Sequence, residues 1–111
     1  THVPKGSVAD VLPQELWQQL GSDMPPMVID VREPREFKQG HIQQAELIPL
    51  PKLLSDTSEL PHDRRIVLVC RGGRRSTRAA YALSQGGHEN VAVLRGGILA
   101  WEAADLLEAI E

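Results

Sequence analysis

The sequence predicts an α/β domain with a small, mostly parallel central sheet and helices on both faces. Two short apolar runs, Met27-Val28-Ile29-Asp30-Val31 and Ile66-Val67-Leu68-Val69, are continuous rather than alternating, as strands buried on both faces are. Segments with apolar residues at helical spacing lie between and after them, set off by glycine pairs at Gly72-Gly73, Gly86-Gly87 and Gly96-Gly97. Strand and helix signals in alternation are the pattern of a parallel sheet crossed by helices.

Residues 1–11 begin with the polar, aperiodic stretch THVPKGSVAD and are expected to form a tail or loosely docked arm. A single domain is expected over residues 12–111. Pro13 suits a first helical position; Leu16, Trp17 and Leu20 share one face before Gly21 ends the run. Leu12 stands where a capping Ser, Thr or Asp would help. Residues 27–31 follow as a strand, then a short helix over Pro34–Lys38 closed by Gly40. Ile48-Pro49-Leu50-Pro51 reads as a looser region, with one helical turn at residues 52–54. After the Ile66–Val69 strand, Ala79, Ala80 and Leu83 recur at helical spacing in a helix running from Ser76 to Gly86-Gly87. Val91–Leu94 is a further strand. Gly96-Gly97 then turns the chain into a last helix bearing Ile98, Trp101, Ala104 and Leu107.

At 111 residues and 12.3 kDa the chain has room for one core. A chain of this size buries roughly two-thirds of its unfolded surface, so it needs no disulfide or metal staple. Its one cysteine excludes an intramolecular disulfide. No apolar run approaches the ~20 residues that cross a bilayer and no signal-peptide pattern opens the chain; a cytoplasmic location is expected, with the periplasm the alternative, since one cysteine fits either compartment. The net charge of −3 argues against a general nucleic-acid binder. His2, His41, His62 and His88 are scattered without metal-ligand spacing, and no nucleotide fingerprint is present, so neither metal nor cofactor is expected. Trp17 and Trp101 read as core anchors, and Arg64-Arg65 as a solvated turn. Thr1 rather than methionine opens the chain, which suggests a processed piece or a domain of a larger protein.

Chemistry concentrates in residues 67–78, Val-Leu-Val-Cys-Arg-Gly-Gly-Arg-Arg-Ser-Thr-Arg. The only thiol, Cys70, falls at the carboxyl end of a buried strand immediately before a helix, the edge where open parallel sheets bind ligands. A helix N-terminus presents unpaired N–H groups and a partial positive charge, which hold anions and favour a thiolate. Gly72 and Gly73 let the backbone curl so that successive N–H groups converge. Arg71, Arg74, Arg75 and Arg78 crowd the same loop, although cations at a helix N-terminus oppose its dipole. An anionic substrate gripped by guanidinium gives a reason for them. The bland alternative is a small buried hydrophobe ending a core strand; the glycines and arginines argue for a reactive thiolate.

These residues resemble the rhodanese-like sulfurtransferases, the single-domain rhodaneses. Asp30-Val31-Arg32-Glu33-Pro34 with Glu36-Phe37, then Gly40-His41-Ile42, Ala45 and Ile48-Pro49, is similar to the family's first signature. Residues 70–76 resemble its active-site loop, and Gly96-Gly97 followed by Trp101 its closing signature. Gln43-Gln44 stands where Pro-Gly is often found, and Gly72 where a small polar residue is common.

The resemblance implies a thiosulfate sulfurtransferase. Cys70 takes sulfane sulfur from thiosulfate or a related persulfide donor, and a small thiol, cyanide or protein acceptor then removes it. The backbone of Arg71, Gly72, Gly73, Arg74, Arg75 and Ser76 is expected to bind the persulfide, and the arginines the donor's anionic end. Asp30, Arg32 and His41 are expected to be structural support, because a thiolate stabilised by its loop needs no general base. Two alternatives stand beside this. One is a non-catalytic or partner-dependent sulfur-carrier or regulatory module. The other is a phosphatase or arsenate reductase of the same fold; those resemble Cys-x5-Arg, whereas Ser76 occupies that position here.

Overall fold

The computed structural model describes residues 8–106. Its central strand, β4 (Ile66–Val69), is buried along its whole length, as its uninterrupted apolar run requires. β2 (Met27–Asp30) and β5 (Val91–Leu94) flank it in parallel, with Ile29 beside Leu68 and Val93 beside Leu68 on the other side. β1 (Ala9–Val11) and β3 (Glu46–Leu47) close the edges, so the five strands run β1-β5-β4-β2-β3, all parallel.

Strand alternation deals the apolar side chains to two cores. Ile29, Ile66, Leu68 and Cys70 face one side, against Leu53 of α3 (Leu50–Ser55) and Ala79, Ala80 and Leu83 of α4 (Arg74–Gln85). Val28, Val67 and Val69 face the other, against Leu16 of α1 (Pro13–Leu20) and Ile98 and Trp101 of α5 (Gly97–Ala103). Leu83 is wholly buried, and a side chain of its kind contributes about 1.5–3 kcal/mol by leaving water. The α/β architecture with helices on both faces is thus the one expected.

Several boundaries differ from expectation. Ala9–Val11, assigned to the arm, forms the edge strand β1 in register with residues 92–94 of β5. Three residues are too few to show a period. β3 is shorter still and falls in the stretch where the sequence predicts a looser region. α3 covers Leu50–Ser55 rather than one turn, because Pro51 fits the first turn of a helix. α4 starts at Arg74, two residues before Ser76; its first turn is polar and carries no apolar period. α5 ends at Ala103, before Ala104, where Asp105 adopts φ 63° and the chain turns back. Leu107 lies outside the described residues.

Leu12 lacks a capping side chain, yet its N–H donates to the Glu15 carboxylate at 2.8 Å, and this supports the start of α1. Trp101 is buried, but Trp17 is half exposed and meets it edge-on at 6.4 Å; Leu16 and Leu20 take the inward face of α1 instead. Arg64 and Arg65 are not merely solvated. Arg64 donates to the carbonyl oxygen of Pro25, and Arg65 to the side-chain oxygen of Asn90. Among the described residues no helix is long and apolar enough to cross a membrane.

Candidate functional site

Cys70 follows β4 directly, and its side chain continues the Ile66, Leu68 face into the core beneath α4. It is only 1% exposed. Its sulfur accepts the backbone N–H of Gly73 at 3.0 Å and that of Ser76 at 3.3 Å. Among the described residues these are the two amides of the loop that reach Sγ; those of Arg71, Gly72, Arg74 and Arg75 do not. The Ser76 hydroxyl also lies 3.3 Å from Sγ.

Gly73 makes the curl. Its φ of 118° belongs to the region that favours glycine, and from there α4 begins at once. Its carbonyl is fixed by the Ser76 hydroxyl at 3.0 Å, the Thr77 hydroxyl at 2.7 Å and the Thr77 N–H at 3.0 Å. The Gly73 carbonyl is thus anchored to the first turn of α4, while its N–H, in the preceding peptide, is directed at the sulfur. Gly72 has an ordinary backbone conformation and open space around it.

The loop is held from outside as well. The N–H groups of Ile98 and Leu99, in the first turn of α5, donate to the carbonyl oxygens of Cys70 and Arg71 at 2.9 and 3.2 Å. Those carbonyls therefore point away from the sulfur. Gly97, at φ 63°, is what allows this approach: a Cβ there would collide with both oxygens. The turn at Gly96-Gly97 is legible in the sequence; its contact with Cys70 is a product of tertiary packing.

The loop arginines divide. Arg75 makes a two-pronged bond to Glu36 of α2 (Pro34–Lys38), Nη1–Oε1 at 2.8 Å and Nη2–Oε2 at 3.0 Å. That hydrogen-bonded guanidinium pulls the Glu36 carboxyl down to about 2 from its usual 4.5, helped by the Glu33 N–H and opposed by burial. Glu36 had no assigned role in the sequence beyond its place in the signature, since nothing in one dimension pairs it with Arg75. Arg71, Arg74 and Arg78 are exposed and carry no salt bridge or side-chain hydrogen bond among the described residues.

The three supporting residues lie apart from the sulfur's hydrogen bonds. Asp30 and Arg32 are buried together, with Arg32 Nε 2.9 and 3.1 Å from the two Asp30 oxygens and Nη2 2.8 Å from Oδ2. Arg32 Nη2 also donates to the Gly40 carbonyl, and His41 Nδ1 donates to the Phe37 carbonyl while its ring stacks on Phe37. His41 thus closes the turn after α2. No cluster of three or more ligating side chains that would hold a metal occurs among the described residues.

A strand-end cysteine inside a loop of converging amides is the geometry that the sequence comparisons then place in a family. The rhodanese-like domain sequence model matches residues 12–104. The chain belongs to the rhodanese-like domain family. A sulfurtransferase of Allochromatium vinosum is 38% identical to this rhodanese-like domain over 94 residues, covering 85% of this chain and 88% of that protein. The thiosulfate sulfurtransferase GlpE of Pseudoalteromonas translucida is 35% identical over 78 residues, covering 70% and 74%. The crystal structure of reduced Bacillus anthracis CoADR-RHD superposes with a TM-score of 0.83 at 34% identity, covering 93% of this chain and 18% of that one. Relatives named as sulfurtransferases support a transferase of the rhodanese family.

Proposed function

We propose that this rhodanese-like domain moves sulfane sulfur from thiosulfate, or a related persulfide donor, to a thiol or cyanide acceptor through a Cys70 persulfide. The observation that carries this reading is the pair of backbone N–H groups, from Gly73 and Ser76, converging on Cys70 Sγ. Such donors stabilise negative charge on sulfur without further reorganisation. In the first half-reaction the Cys70 thiolate attacks the outer sulfur of thiosulfate. The S–S bond of the donor breaks, and sulfite leaves with the electron pair. In the second, the acceptor attacks the terminal sulfur and Cys70 departs as thiolate.

Arg71 and Arg74, exposed on the loop, are assigned to the donor's sulfonate end. Arg75 is bound to Glu36 and is assigned to positioning the loop. Ser76 supplies one amide to the sulfur and fixes the Gly73 peptide with its hydroxyl. Asp30, Arg32 and His41 act on the scaffold.

Intact mass after incubation with thiosulfate tests this, with Cys70→Ser beside the wild type. A gain of one sulfur atom only on the wild type, released by cyanide as thiocyanate, is the expected result. One observation favours a second reading: Cys70 is buried, which suits a partner-dependent sulfur carrier whose loop opens only in a complex. A thiol that gains no sulfur from thiosulfate or polysulfide, and is alkylated only after denaturation, would sink the free-standing enzyme and leave a non-catalytic or partner-dependent module.

A further inference from the structure

A groove of about 370 Å³ lies on the face of the sheet opposite to Cys70, between α1, the turn after α2 and Trp101 of α5. Trp17, Leu20, Ile42 and Trp101 supply its apolar walls, and Gln18, Gln43 and Gln44 add amide side chains. Among the described residues its lining holds no charged side chain. Apolar walls with a few polar groups, in a cleft of this size, are the usual make-up of a small-molecule site.

Two features of the groove do not serve the fold. Trp101 is 1% exposed, yet its indole N–H has no hydrogen-bond partner among the described residues. A buried donor left unpaired costs stability, whereas a phenylalanine ring carries no such donor. Gln44 stands at φ 76°, a left-handed conformation that strains a residue with a side chain, and strain of this kind collects at ligand clamps. Trp17 is the wall that can move. It is half exposed and meets Trp101 edge-on at 6.4 Å, and exposed side chains change rotamer readily.

We propose that this groove binds an uncharged, flat ring molecule that carries a hydrogen-bond acceptor. The Trp17 ring turns aside to uncover the Trp101 N–H, which donates to the acceptor, and the ligand's rings stack on Trp17. The amides of Gln18, Gln43 and Gln44, which make no hydrogen bond among the described residues, meet its polar edge. A charged molecule is rejected, because nothing in the lining offsets the loss of its water. Cys70 takes no part, so the site stands or falls separately from sulfur transfer.

Both tryptophans of the chain line the groove, so their two indole N–H signals in a heteronuclear NMR spectrum report directly on its occupancy. The probes are coumarin, an uncharged two-ring lactone; naphthalene, which has the rings and no carbonyl; and coumarin-3-carboxylate, which adds a charge. Coumarin is expected to move both signals, and the carboxylate to bind at least about tenfold more weakly. Trp101→Phe, read on the Trp17 signal, is expected to weaken coumarin about tenfold, the scale of one hydrogen bond, and to spare naphthalene. Gly21→Leu tests the groove from an exposed position. Gly21 also lines it, at an ordinary φ of −91°, and a Cβ there meets only the Gln18 carbonyl oxygen at 3.7 Å. The leucine is expected to weaken both uncharged probes, and Cys70→Ser to bind them as the wild type does. Indole signals that coumarin leaves in place, or wild-type affinity in Gly21→Leu, would overturn the site. Equal loss of both probes in Trp101→Phe, or a carboxylate that binds as tightly as coumarin, would overturn the ligand class. Signals that shift with protein concentration alone would overturn it in favour of a second copy of the chain on this face.

Discussion

Gly97 packs against Cys70 so closely that a side chain on it would overlap the Cys70 carbonyl oxygen. The contact joins two glycine-containing turns that are far apart in sequence, and two hydrogen bonds from α5 to the Cys70 and Arg71 carbonyls reinforce it. The peptide orientations of the reactive loop are therefore set partly by the helix on the opposite face of the sheet.

Gly97→Ala is expected to damage the loop beyond its backbone strain. Alanine at φ 63° costs about 1–2 kcal/mol wherever it occurs. Here the added methyl also pushes the Cys70 and Arg71 carbonyls away, and a shift near 1 Å at a reacting group lowers turnover roughly 100-fold. Gly96→Ala is the control. It shares a positive φ, 77°, but its Cβ would meet Ala100 within α5 and not the loop. Unfolding midpoints should fall for both variants, and thiocyanate formation should collapse only for Gly97→Ala. Wild-type turnover in Gly97→Ala would remove the proposed coupling.

The Asp30–Arg32 pair gives a second expectation. Both side chains are at least 94% buried, and among the described residues the guanidinium's partners are Asp30 and the Gly40 carbonyl. Asp30→Asn leaves a buried cation without its counter-charge, and loss of one partner in such pairs costs about 3–5 kcal/mol. Asp30→Asn combined with Arg32→Met should recover much of that loss. Urea unfolding of the single and double variants decides it; a single variant within 1 kcal/mol of wild type, as an approximate bound, would show that the pair is dispensable.

These contacts also show what one sequence can and cannot carry. The strand Ile66–Val69 is legible because its burial on both faces needs an unbroken apolar run, and the same reasoning locates Val91–Leu94. Cys70 and its glycines are legible because strand end, turn and helix start are local. β1 and β3 are not, since they take their conformation from the strands beside them. Glu36 on Arg75 and Gly97 on Cys70 are likewise invisible, being products of the packing of α2 and α5 against the loop.

Gln44 offers a gain in stability. It adopts φ 76°, a conformation that costs a residue with a side chain, in the turn where family members often carry Pro-Gly. Gln44→Gly relieves that strain but frees the unfolded chain, and the balance is expected to stabilise the fold by up to ~1 kcal/mol. A lowered unfolding midpoint would mean that the Gln44 side chain makes a compensating contribution.

The Glu36–Arg75 pair predicts an acid limb. In the fold the Glu36 carboxyl titrates at about 2, against 4.5 when free. Between those values the unfolded chain binds more protons than the native one, so stability falls with pH. The contribution is whole above pH 4.5 and is lost progressively as pH drops toward about 2. Glu36→Gln should be less stable near neutral pH and should show a flatter acid limb. Because Arg75 is 36% exposed, the effect is expected nearer to that of a surface pair, up to ~1 kcal/mol. Parallel acid limbs for the two proteins would refute it.

A second pH dependence comes from the opposite end of the sheet. His88, buried after α4, stacks on His62 with ring centres 3.8 Å apart and an angle of 11° between planes. Burial first, and the neighbouring His62 second, hold the His88 imidazole below its usual 6.5, against the opposing pull of the Pro61 carbonyl. The native state thus keeps His88 neutral at pH values where the unfolded chain has begun to protonate it. Stability is complete above 6.5 and declines as pH falls below that value, by at most about 1.4 kcal/mol per pH unit for one proton. His62→Gln removes the electrostatic part and should reduce the slope, while His88→Gln should abolish this component even if it lowers stability at neutral pH. Urea midpoints measured from about pH 7.5 to about 5.5 separate these cases, and a wild-type midpoint that stays flat across that interval would show that His88 is not held neutral by its surroundings.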